Sequence, residues 1–413
     1  MDTFHIVTIG PPESGKTVYL AAMNHALGNQ AALGRHLSAV IEDPAPRSAL
    51  RRLYQRICDP SERAWPPSTL AFDPMREYAF RVSVTWTRRL LGQRTRLYNY
   101  TVFNVSYVDY AGEWVSDSDE HAAELVGALA ARAEQAHALV GVIDGLRLLQ
   151  YMEGNPAAES FLTTQVRPVV EFMEGRSAPV HFVITKWDLF AGRYTLADVR
   201  ARLLGVRASG FERLIGARTA EGGGRRSAVG TVRLIPVSSV GGLAVLKDDW
   251  TVEKATGGEP EPVNVIIPFV AAVNDIAAHA AEQLRAARPD PTGNDRLGDG
   301  VQKAGASLRE RLAAADAPDL RIGLTGIAIN LRTIVTFMAT GGKEAVKILG
   351  TPAARTYRSV HRQAQRVRAR DIRGVTSPES ALYYIARELR RHLDAFEARE
   401  PASMLSAPGS VPH

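Results

Sequence analysis

The sequence predicts an α/β fold: a mostly parallel sheet flanked by helices, followed by a mainly helical C-terminal extension. Three observations carry this. Short β-branched runs alternate with Ala- and Leu-rich helical segments from residue 4 to about 242. Motifs able to carry chemistry fall directly after several of those runs, where an open parallel sheet places its ligands. Beyond residue 289 the composition turns to Ala and Arg.

The elements follow in order. "FHIVTIG" (4–10) is a β-branched run ending in glycine, and "KTVYLAAMNHAL" (16–27) has the Ala/Leu/Met content of a helix. A polar, helical stretch comes next, with "PRSALRRLYQRI" as an amphipathic helix, before the proline-rich "DPSERAWPPSTLAFDP" (59–74) breaks regular structure as an exposed loop. "EYAFRVSVTW" and "YNYTVFNVSYVD" suit an antiparallel pair joined by the arginine-rich "TRRLLGQRTR". A helix from about 120 to 135 leads to the strand "HALVGVID", and the helix "ESFLTTQVRPVVEFMEG" leads to "PVHFVITKWD". Further helical residues, the glycine-rich "AEGGGRRSAVG" and the strand "TVRLIPVSSVGG" complete this part. The segment "EPEPVNVIIPFVAAVNDIAAHAAEQLRAA" starts as proline-rich coil and becomes a helix that packs on the sheet or links to the rest.

The chain thus divides into a first domain, 1–288, with its core at 4–242; a linker, 289–300; a basic helical region, 301–400; and a tail, 401–413, of disordered composition. The net charge of +6 is uneven, since 301–413 alone sums to about +8. The single cysteine, Cys58, rules out an internal disulfide and a cysteine-based zinc site, and reads as a small apolar residue. The start "MDTFHIVTIG" enters strand residues with no signal-peptide pattern, so a cytoplasmic location is expected. The longest apolar tract, Leu320 to Gly341, carries Arg321 and Arg332. A central charge costs ~2.5–3.5 kcal/mol in a spanning helix, so the tract reads as core or as an interaction helix, with no transmembrane segment expected.

"GPPESGKT" (10–17) fits G-x-x-x-x-G-K-[ST] between a strand and a helix. Gly10 and Gly15 let the backbone wrap phosphates, Lys16 brings a cation toward the β and γ positions, and Thr17 supplies a hydroxyl for Mg²⁺. In "DYAG" (109–112), Asp109 can hold the metal through water and the Gly112 amide can sense a γ-phosphate. In "TKWD" (185–188), the Asp188 carboxylate can accept from guanine N1–H and the 2-amino group, a donor pair adenine lacks. The alternative for "TKWD" is a surface loop of mixed charge, which the other two motifs outweigh. In "PVSSVGG", Ser238 and Ser239 suit close approach of backbone to a base, and a plain strand-ending turn explains them as well.

This order of motifs resembles the translation-factor-like class of P-loop GTPases, which includes Ras-like and MglA-like proteins. The long first interval and "PVNVIIP" resemble bacterial double-GTPase-type proteins, often encoded with partner proteins. The resemblance implies a Ras-like P-loop NTPase domain with Mg²⁺ as cofactor, GTP and GDP as ligands, and regulatory or effector proteins as partners. It carries nucleotide contacts over to Gly10, Glu13, Ser14, Gly15, Lys16, Thr17 and Val18, and to Thr185, Lys186, Asp188, Ser238 and Ser239. Metal ligation falls to Thr17, Asp109 and a threonine ahead of the second strand, for which Thr69 is the best candidate and Ser68 a competitor. Lys16, Thr69, Gly112 and Glu113 become the catalytic set.

Two features depart from the minimal Ras-like pattern. Glu113 stands where Ras-like proteins carry glutamine, and it adds negative charge beside a γ-phosphate. Three readings stay open: a GTPase switch that is slow without a partner, a GTP-dependent scaffold without turnover, and an ATPase in which "TKWD" is accidental. The interval from Lys16 to Asp109 is also long, and partner contacts are a natural use for the extra residues. The arginine-rich 355–373 fits a solvated helix face, a dock for an acidic protein or the first domain, or a nucleic-acid or anionic membrane surface.

Overall fold

The computed structural model describes residues 3–275 and 372–405, apart from 30–31, 35, 60, 62–64, 66–74, 90–94, 111–119, 177, 222–230, 256, 373–374 and 376–377. The linker, the tract from Leu320 and nearly all of the arginine-rich stretch lie outside these residues.

Strand β1 (Thr3–Ile9) sits at the centre because its sequence is apolar on both sides. Period-2 alternation sends Phe4 and Ile6 to one face of the sheet and Val7 and Ile9 to the other, so both faces have to be covered. The remaining strands are β2 (Leu37–Ile41), β3 (Met75–Arg89), β4 (Thr95–Tyr110), β5 (Ala138–Ile143), β6 (Val180–Ile184) and β7 (Val232–Pro236). They assemble as a seven-stranded sheet in the order β2-β3-β4-β1-β5-β6-β7. The strands β4, β1, β5, β6 and β7 run parallel, whereas β2–β3 and β3–β4 pair antiparallel. Register places Thr8 beside both Asp109 and Val140, and Ile143 beside Ile184, so the carboxyl ends of the parallel strands open on one edge.

Helices α1 (Lys16–Leu27) and α2 (Pro44–Cys58) lie on the face of Phe4 and Ile6; α3 (Glu120–Glu134), α4 (Gly145–Met152), α5 (Arg167–Met173), α6 (Leu196–Leu204) and α7 (Phe211–Glu221) lie on the other. Local chemistry sets their starts. Asp43 caps α2 by accepting from the Ala45 amide at 2.8 Å, with Pro44 at the first helical position, and Thr195 and Asp198 form a reciprocal capping box on α6. A short hairpin, β8 (Ala244–Leu246) and β9 (Val252–Lys254), follows β7. The "PVNVIIPF" segment then enters a helix, α8, described over 267–275, whose Phe269, Val270 and Val273 are buried on the Phe4 face.

Three elements depart from the sequence reading. The stretch after α1 holds the edge strand β2, whose burial alternates along Leu37, Ala39 and Ile41. The segment from Pro378 was assigned to the C-terminal extension; as α9 (Pro378–Arg399) it packs on the first domain's sheet, burying Ala381, Tyr384, Ile385, Leu389, Leu393 and Phe396 among residues of β3 and β4. Burying each large apolar side chain contributes ~1.5–3 kcal/mol. The exposed α9 ion pair Arg390–Asp394, at 2.8 Å, belongs to a class contributing only ~0.3–0.5 kcal/mol, so packing decides where α9 lies. Residues 401–405, read from sequence as the start of a disordered tail, instead hold a 3₁₀ turn at Pro401–Ser403, and the Leu405 amide donates to the Val232 carbonyl at 2.9 Å. Two backbone partners and a buried Leu405 side chain supply the order that composition does not suggest.

A buried charge cluster joins these late elements to the sheet. The Arg233 guanidinium on β7 pairs with Asp275 of α8 and, at 3.0 Å, with Glu397 of α9. His181 on β6 is fully buried 3.8 Å from Asp275. Burial first, and the Arg233 charge second, hold His181 well below its ordinary pKa, so it is neutral here.

Candidate functional site

The turn between β1 and α1 is built around one cation. Lys16 Nζ donates to the carbonyls of Gly10 and Pro11, both at 2.7 Å, and lies largely buried. The backbone therefore curls round the ammonium before the helix begins. Gly15 takes φ 83°, a left-handed value suited to glycine, and Glu13 also takes a positive φ of 57°. Holding a non-glycine residue there costs of order 1 kcal/mol, a strain that clusters at ligand sites. At Gly10 a Cβ would fall 2.8 Å from the Val142 carbonyl, so only glycine lets the loop leave β1 against β5. The loop ends at the N-terminus of α1, where the first-turn amides and the helix dipole favour an anion. Val18, one turn into the helix, packs into a small apolar cluster with Val240 and Leu243.

Asp109, near the end of β4, is buried, and its Oδ1 has no hydrogen-bond partner among the described residues. Burial pushes its carboxyl up to about 6, against the opposing pull of Lys16 and Arg76. An orphaned carboxylate oxygen near a phosphate-loop lysine fits a hydrated divalent cation shared with Thr17. No cluster of three or more His, Cys, Asp or Glu suited to a metal occurs among the described residues. Asp109→Asn is expected to raise the melting temperature of the nucleotide-free protein, because it removes a buried charge. The sign follows from the raised pKa. The cost of ionising Asp109 is absent below 3.8 and complete above about 6, so its contribution favours the fold at low pH and fades as pH rises through that window. Melting curves between pH 4 and 7 check this, with the variant expected to show a flatter profile.

The third group forms at the ends of β6 and β7 and is stapled to the first. Thr185 Oγ1 donates to the Ser14 carbonyl at 2.6 Å, and Lys186 Nζ donates to the Glu13 carbonyl at 3.2 Å. Lys186 holds a left-handed φ of 53° and pairs with Asp144 at 2.8 Å. Asp188 accepts from Ser238 Oγ at 2.6 Å, and Ser238 Oγ accepts from the Gly241 amide at 2.8 Å. Burial raises the Asp188 carboxyl, while Ser238 and then Lys186 oppose the shift. Ser239 is buried, and its carbonyl accepts from the Tyr54 hydroxyl at 3.4 Å. One continuous edge thus carries Gly10, Glu13, Ser14, Gly15, Lys16 and Thr17 from one loop, Asp109 beside them, and Thr185, Lys186, Asp188, Ser238 and Ser239 from two more.

Thr69, Ser68, Gly112 and Glu113 lie outside the described residues. Asp144 was not singled out from sequence. It ends β5 as Asp109 ends β4, caps α4 through the Leu146 amide at 2.9 Å, and anchors Lys186. A carboxylate closing a fully apolar strand is the signal that could have found it. At Gly145 a Cβ would overlap the Thr185 carbonyl at 1.9 Å, so that residue allows β5 and β6 to close together at the site.

No family model matches the chain, and no curated protein does. Among solved structures it is similar to a mutant of S. thermophilus NFeoB bound to GDP, at 13% identity and a TM-score of 0.27, covering 94% of this chain and 98% of that one. It is also similar to a variant of Aquifex aeolicus Era bound to GDP and AlF₄⁻, at 12% identity and a TM-score of 0.23, covering 76% and 90%. No described helix is long and apolar enough to cross a membrane.

Proposed function

We propose that the chain binds GTP, hydrolyses it to GDP and phosphate, and acts as a nucleotide-dependent switch for partner proteins. One observation carries this reading: the Thr185 hydroxyl ties the Asp188 loop directly to the phosphate loop at Ser14. A phosphate cradle and a half-buried carboxylate able to read guanine thereby share one frame, as a base joined to a chain of phosphates requires.

In the reaction, water attacks the γ-phosphorus and the bond to the β,γ-bridging oxygen breaks. GDP departs with that electron pair, and the proton of the water passes to inorganic phosphate. Lys16 and the amides at the start of α1 stabilise the negative charge on the transferring group. Thr17 and Asp109 would hold Mg²⁺, which when bound neutralises charge on the β and γ oxygens. In this reading Thr69 and Gly112 sense the γ-phosphate, the Glu113 carboxylate is the group able to accept from the attacking water, and Asp188 selects the base.

The nucleotide that co-purifies with the intact protein tests base and phosphate state together. GDP or GTP is the expected species, and ATP displacing labelled GDP as well as GTP does would remove the guanine assignment. Lys16→Ala is expected to weaken GDP binding by ~10–100-fold, the loss of a charge-assisted contact. Equilibrium titration with a fluorescent GDP analogue checks it. Single-turnover hydrolysis separates the switch from a scaffold that retains GTP unchanged.

A further inference from the structure

The loop carrying Ser238 and Ser239 is held from two sides. On the inner side, Ser238 bonds Asp188, and its backbone forms a two-way bridge with Val263 at 3.1 and 2.8 Å. On the outer side stands a group that the nucleotide motifs do not explain. Trp65 Nε1 donates to the Val252 carbonyl of β9 at 2.8 Å, and Lys254 Nζ lies 5.5 Å from the centre of the Trp65 ring. The same ammonium donates to the carbonyls of Arg56 and Asp59, at 3.2 and 3.4 Å, closing the C-terminus of α2. Trp65 and Ile57 belong to one apolar cluster with Val18 and with Val240 and Leu243 of the base-flanking loop.

From this placement we infer that Trp65 and Lys254 are positioning residues: they brace the 238–243 loop against α2 and so set how slowly a bound guanine nucleotide leaves. The inference rests on the nucleotide reading proposed above. The brace touches neither the phosphate loop's cation nor Asp188. It holds the wall behind Ser239, whose carbonyl α2 also grips through Tyr54. Loosening that wall frees the base side of the ligand while leaving charge recognition and base choice intact.

Stopped-flow binding and release of a fluorescent GDP analogue by the full-length protein tests it, using Trp65→Ala, Trp65→Phe and Lys254→Met. Trp65→Ala is expected to speed release by ~10-fold, equivalent to ~1.4 kcal/mol. Trp65→Phe, which keeps a ring beside Lys254 but loses the indole N–H, should restore most of the wild-type rate. Lys254→Met, at a partly exposed site that tolerates the change, should speed release by ~3-fold. Association rates and the preference for GDP over ADP should stay as in wild type. Wild-type release in folded Trp65→Ala or in Lys254→Met, or a change confined to association, would overturn the brace and leave the nucleotide reading standing. A wild-type protein that binds no guanine nucleotide would remove both.

Discussion

Asp188→Asn is expected to exchange the base preference of the site, from guanine toward xanthine nucleotides. The carboxylate accepts from two guanine donors in the proposed pose, and the amide replaces one acceptor with a donor. Guanine's 2-amino group would then face an N–H, whereas the 2-oxo group of xanthine would accept from it. Sites that bond a substrate's polar group reject mismatched analogues by ~10⁴-fold or more, because a buried partner is left unpaired. Partial exposure of Asp188 moderates this, and a loss of GDP affinity of at least ~10²-fold is expected. Ser238 should keep the replacement side chain in place, since its hydroxyl can donate to the amide oxygen as it does to Asp188. Competition of GDP and XDP against a labelled analogue checks the outcome. An unchanged preference would remove Asp188 from the base-reading role.

Arg233→Met is expected to be the most destabilising single change outside the site. The guanidinium is almost wholly buried between Asp275 and Glu397, and its removal strands two carboxylates on separate elements, α8 and α9. Breaking one partner of a buried charge group costs ~3–5 kcal/mol. Replacing all three with apolar residues (Arg233→Met with Asp275→Leu and Glu397→Leu) should recover much of that loss, since no charge is then left uncompensated. Urea denaturation of the single and triple variants measures both steps. A single variant within 1 kcal/mol of wild type would show that water reaches the cluster.

Where the sequence was legible, the chemistry was confined to short windows. The turn from β1 to α1 is readable because Gly10, Gly15 and Lys16 each satisfy a local demand: close approach to β5, a left-handed backbone, and a cation for the carbonyls to face. The antiparallel pair β3–β4 is equally local. What stayed hidden depends on partners far along the chain. The apolar face of α9 is present in the sequence, but its destination is not; Trp86, for instance, donates to the Val375 carbonyl across 289 positions. Lys186 shows a carbonyl contact to Glu13 that follows from the motif, and an ion pair to Asp144 that does not, because the carboxylate comes from a different strand. Strand β2 was missed because five residues between the helices α1 and α2 give too little period to recognise.

The last described residues do more than finish the chain. β7 is the outer strand of the parallel half of the sheet, and an outer strand presents the kind of rim on which a second molecule can template itself. The Leu405 amide and the Arg233–Met404 bridge occupy part of that rim, so residues after α9 cover a stretch of the outer strand. The outer border of the sheet is thereby closed in part by the chain's own late residues, at the strand farthest from β2.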